Sequence, residues 1–134
     1  MKLEKVLLVK IILTTLLWAG PLLVGPPALF SFLAVPFPEP ALFGRLLGAA
    51  YVALVIVYWC GYSEVRAGGT GVVAVRAGVV SNGLATIILF WNGILGNWSS
   101  WSGLGQVYMW FSAVATLALT VSLSIAFKGE SKVA

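Results

Sequence analysis

Four long apolar runs, separated by short clusters of proline, glycine and charge, organise this chain. Within each run the apolar residues are continuous instead of alternating, and the runs are too long for the ~10-residue strands of a membrane barrel. Each matches the ~20 apolar residues that carry a helix across the ~30 Å hydrocarbon core of a bilayer. The pattern predicts helices at about 6–24, 41–62, 72–95 and 104–127. Breakers fall between them: Pro21, Pro26 and Pro27 are expected to bend or end the first helix, and Pro36, Pro38 and Pro40 precede the second. The stretch EVRAGGTG from Glu64 to Gly71 separates the second helix from the third, and GNWSSWSG from Gly96 to Gly103 the third from the fourth. Between Pro27 and Pro36 lies ALFSFLAV, apolar but too short to span. It is expected to lie in the membrane interface or to fold back against the bundle.

Composition narrows the class. Of 134 residues, 60% are hydrophobic and 9% charged, and the mean hydropathy is +1.03. A soluble domain has ~45–50% apolar and ~25% charged residues, so a soluble monomer is excluded. A disordered chain, which needs low hydrophobicity and high charge, is excluded too. The expected fold is all-α, an integral membrane four-helix bundle forming one domain over residues 1–134. Lys2 and Lys5 ahead of an apolar run, with small residues near Gly20, also describe a signal peptide. The segment is read as a retained first transmembrane helix.

The net charge of +4 does not indicate nucleic acid, which requires basic residues clustered on one face; here they stand singly at the edges of apolar runs. With four spans both termini share a side, and that side carries Lys2, Lys5, Lys10, Arg66, Arg76, Lys128 and Lys132, against Arg45 alone on the other. The excess of Lys and Arg on cytoplasmic loops places both termini in the cytoplasm. Short loops and economy of sequence point to a bacterial inner membrane.

Arg45 lies about one turn into the second helix on the sparsely charged side, with Glu39 as the nearest carboxylate in sequence. It reads either as a contact for an anionic headgroup, a quinone oxygen or a partner subunit, or as a snorkelling arginine that pairs with Glu39 or caps loop carbonyls. Gly44 and Gly48, four apart and followed by Ala49 and Ala53, allow close approach of another helix, within the bundle or in a dimer. The fourth helix carries Tyr108, Ser112, Thr116, Thr120 and Ser124, every fourth residue and hence on one face. The third offers Gly78, Asn82 and Thr86 at the same spacing, and the first Lys10, Thr14 and Trp18. These groups either bond across helices and to their own carbonyls, or line a polar cavity for a lipid, quinone or small solute. The candidate contacts are Arg45, Glu39, Tyr108, Ser112, Thr116 and Asn82; Gly44, Gly48, Thr120 and Ser124 are assigned to packing.

Catalytic chemistry finds little support. The chain has no histidine and one cysteine, Cys60, which excludes an intrachain disulfide and any multi-thiolate metal site and removes the commonest general base. The spans hold no carboxylate, and a serine activated by Lys10 would require the two to meet in a desolvated interior. No catalytic residue, metal or cofactor is assigned. Asn97-Trp98-Ser99 matches the N-x-S pattern and is read as chance.

The opening of the second helix, Arg45-Leu46-Leu47-Gly48-Ala49-Ala50-Tyr51, resembles the R-x-x-G-x small-residue motif of DoxX-like proteins, small four-helix membrane proteins of bacteria. The proline-bounded segment after the first helix and the arginines near the start of the second and third (Arg45, Arg76) extend the resemblance loosely over the chain. It implies the four-helix fold. It also raises a link to quinone chemistry or to redox partners, for which this chain lacks histidines and paired cysteines. The sequence alone is read as a non-enzymatic accessory subunit of a larger membrane assembly, embedded in lipid among other subunits. The alternatives are a lipid- or quinone-binding protein and an oligomeric transporter or channel with its pore between protomers.

Overall fold

The computed structural model describes residues 2–36 and 40–130. Five helices build it: α1 (Leu3–Val24), α2 (Pro27–Leu33), α3 (Ala41–Arg66), α4 (Val72–Ile94) and α5 (Gly103–Glu130), with no strand among the described residues. All but α2 are long and apolar enough to cross a membrane. Their outer surfaces are apolar on every side, with Leu16, Ile56, Ile87, Val107 and Ile125 all exposed. A protein surrounded by water rarely leaves so continuous an apolar coat.

The helices overrun the apolar segments at their polar ends. α3 continues through Ser63-Glu64-Val65-Arg66, and Glu64 then shapes the turn that follows. Its Oε1 accepts a hydrogen bond from the Gly71 amide (3.1 Å), while Gly68 and Gly71 take the left-handed backbone that glycine tolerates. α2 occupies seven residues of the segment too short to span, starting at Pro27 and ending at Ala34 with φ 52°.

Around the bundle α1 neighbours α3 and α5, α3 packs on α4, and α4 on α5. The end that carries the chain termini is filled: Leu3, Val6, Leu7, Tyr58, Val75 and Leu123 form a buried cluster. At the other end α1 diverges. The α-helical stretch Leu3–Leu13 packs on both α3 and α5; a π-helical segment, Thr14–Ala19, then carries the chain into Gly20–Val24, and both of these lean on α3. Two residues explain the lean. Gly48 has no side chain, so α3 comes close enough to Leu22 and Leu23 that a β-carbon would lie 2.5 Å from the Leu23 nitrogen. Pro21, inside the helix, has no N–H to give the carbonyl four residues back, at Leu17, and the wider π-helical segment is one way a helix accommodates such a fault. As α1 leans towards α3 it leaves a space beside α5, which α2 covers.

Candidate functional site

That space is a cavity of about 730 Å³, within the ~300–1,000 Å³ typical of small-molecule sites. Helix register orders its lining in layers. Closest to the termini lie Lys10, Tyr58, Ser81 and Asn82; Thr116, bonded to Thr86 one turn beyond Asn82, comes next with Thr14, and Ser112 one turn farther still. Trp18, Tyr51, Ile88 and Tyr108 form the next layer, and Leu47, Trp101 and the α2 side chains Leu29, Phe30 and Leu33 close the far end. Polarity therefore falls from one end of the cavity to the other.

Lys10 is the dominant feature of the polar end. It is seven residues into α1, about 10 Å along the axis, and only 1% exposed. Its Nζ sits 4.2 Å from the centroid of the Tyr58 ring, a cation–π contact. Gly78 makes the room: a β-carbon there would stand 3.1 Å from Lys10 Cε. No ion pair is recorded for Lys10 among the described residues. A lone charge in hydrocarbon costs ~2.5–3.5 kcal/mol at a helix centre on insertion scales, and one aromatic face recovers only part of that.

A hydrogen-bonded network surrounds this ammonium. Ser81 Oγ donates to the Gly78 carbonyl (3.3 Å), which leaves Tyr58 Oη to donate to Ser81 Oγ (2.9 Å). Thr86 Oγ1 lies 2.8 Å from the Asn82 carbonyl and 3.0 Å from Thr116 Oγ1, and Thr116 in turn donates to the Ser112 carbonyl (2.9 Å). Two groups are left out. Asn82 Nδ2 and Ser112 Oγ are buried and have no hydrogen-bond partner, although their residues are 7% and 2% exposed. Buried polar groups are nearly always satisfied, so the unsatisfied Asn82 amide, one helical turn from Gly78 and the Lys10 side chain lodged against it, marks the place where a ligand group belongs.

The candidate contacts read from the sequence divide. Tyr108, Ser112, Thr116 and Asn82 all line this cavity. Tyr108 Oη donates to the Leu17 carbonyl (2.7 Å), the one Pro21 cannot satisfy, and so ties α5 to the faulted segment of α1. Thr120 and Ser124 donate to their own i−4 carbonyls at 2.9 and 2.8 Å, as helical hydroxyls do when no ligand engages them. Arg45 lies apart from the cavity. Its guanidinium donates to the carbonyls of Leu22 (3.0 Å) and Gly25 (2.9 Å), capping the C-terminal end of α1. Glu39 falls outside the described residues. Gly44 and Gly48 are buried, with Gly48 against α1 of the same chain.

Lys10, read from the sequence both as a charge of the termini side and as part of an inward stripe with Thr14 and Trp18, turns inward with them, into a notch that Gly78 opens. Ser81, alongside Asn82, lines the cavity too. Tyr58 and Tyr51 were missed as site residues; as aromatic residues inside apolar runs they carry no signal until Lys10 is placed. No hydrogen bond joins Lys10 to Ser81 or Ser112 among the described residues. No protein-family model, curated protein or solved structure matches this chain.

Proposed function

We propose that this is an integral membrane protein, its four long helices crossing the bilayer with both termini in the cytoplasm, which binds one amphipathic lipid-soluble molecule inside the bundle. α2 lies at the opposite interface in this arrangement and covers the cavity mouth. The observation that carries the reading is the graded cavity itself, with Lys10 and the unsatisfied Asn82 at one end and aromatic and aliphatic walls at the other. An ionisable residue within a membrane span is costly to keep without a task. The inward face of Asn82, Ser112 and Thr116 argues against a pore between protomers, which would need those groups outside. An accessory-subunit role, read from small polar groups without catalytic partners, short loops and an aromatic outer rim, stands as the second reading; the apolar outer coat does not favour it, since every membrane span presents one. The DoxX-like motif at Arg45–Tyr51 supports the four-helix family and a bacterial inner membrane, and adds a quinone to the candidate occupants.

Native mass spectrometry of the protein extracted in mild detergent tests this. One small-molecule adduct per chain is expected, lost when Ala85→Trp fills the cavity and kept when Ile87→Trp adds the same bulk to the exposed face. Adduct-free protein throughout, or an adduct unaffected by Ala85→Trp, would refute the proposal.

A further inference from the structure

The chemistry of the polar end also specifies the ligand's head, given the proposal above that the cavity holds a ligand. Two side chains wait there, and both offer hydrogens: the Lys10 ammonium and the Asn82 amide nitrogen, one helical turn from the Gly78 notch that holds Lys10. Thr116, Tyr58 and Ser81 give their own hydrogens to partners already present. The occupant must therefore be an acceptor. Lys10 forms no ion pair among the described residues, and the described carboxylates lie elsewhere, Glu4 in the first turn of α1 and Glu64 at the α3–α4 turn. A positive charge in this setting calls for one negative charge from the ligand.

We infer that the cavity binds a single-chain carboxylate amphiphile, a long-chain fatty acid, with its carboxylate between Lys10 and Asn82 and its tail running past Tyr51 and Trp18 towards α2. One carboxylate balances one ammonium and can accept from several donors at once. A phosphomonoester head, carrying ≈ −1.5 to −2 charge near neutrality, would bring an excess of negative charge into an apolar interior. A cavity of about 730 Å³ has room for one long alkyl chain.

The test sets hexadecanoic acid against hexadecan-1-ol, equimolar, in native mass spectrometry of the full-length protein. The same tail on both makes the head the only variable. A preference for the acid of about tenfold or more is expected, the worth of one charge-assisted contact, and Lys10→Met should abolish the preference while alcohol binding persists. Equal binding of the two by the wild-type protein overturns the carboxylate assignment and leaves the binding site standing. Binding of neither removes both. The wild-type competition decides the matter by itself if Lys10→Met does not fold.

Discussion

Lys10 and Arg45 are both single cations set into long apolar helices, and the fold treats them in opposite ways. Arg45 is held: its guanidinium fork reaches two carbonyls at the end of α1, where the helix has run out of its own donors. Lys10 is buried more deeply and held less, with an aromatic face as its recorded contact. A satisfied buried cation is part of the scaffold; an unsatisfied one makes sense only with a partner that comes and goes. The same contrast separates Thr120, which bonds its own helix, from Asn82, whose amide nitrogen is buried without a partner.

The largest effect should come from breaking the held cation. Arg45→Ala removes two charged hydrogen bonds and strands two carbonyls, so it should cost about 3 kcal/mol or more, read as a lower unfolding midpoint in lipid nanodiscs. Next comes the close approach that Arg45 locks. Gly48→Ala places a methyl group against the Leu22–Leu23 backbone and should cost about 2 kcal/mol. It should also alter the cavity, because the lean of α1 towards α3 creates it. Lys10→Met should have the opposite sign to Arg45→Ala: with no ligand present, losing an uncompensated charge leaves stability unchanged or raises it by up to about 2 kcal/mol. A substantial loss of ligand-free stability in Lys10→Met would place Lys10 in the scaffold beside Arg45 and erase the contrast. The smallest effects belong to the hydroxyls. Ser112→Ala and Thr120→Ala should each shift stability by no more than about 0.5 kcal/mol and leave the preference for a carboxylate head intact, whereas Asn82→Ala should weaken it.

The long apolar helices could be read from the sequence because hydrocarbon requires a continuous apolar run, and a run needs no knowledge of its neighbours. Arg45 was legible as an anomaly, and both of its readings were local enough to state beforehand; the structure gives it carbonyl partners. The cavity was only half legible. The four-residue spacing of Ser112, Thr116, Thr120 and Ser124 exposes a polar stripe, but equal spacing hides the difference between hydroxyls that bond their own helix and the one that does not. The cause of the cavity was hidden as well. It depends on Gly48 meeting Leu23 and Gly78 meeting Lys10, contacts between helices far apart in sequence, and on a π-helical segment before Pro21 where the sequence suggested a bend or a stop. Counting basic residues near helix ends assigns a charge to a side of the membrane but is blind to which way the side chain turns; only the spacing of Lys10 with Thr14 and Trp18 hinted that it faces inward.

The most direct measurement is an experimental density map of the protein purified from its own membrane. The account predicts one elongated feature inside the bundle, starting within hydrogen-bonding distance of Lys10 and Asn82 and ending beneath α2. A bundle whose helices close over that space, with the Lys10 ammonium turned out to the termini side, would contradict it.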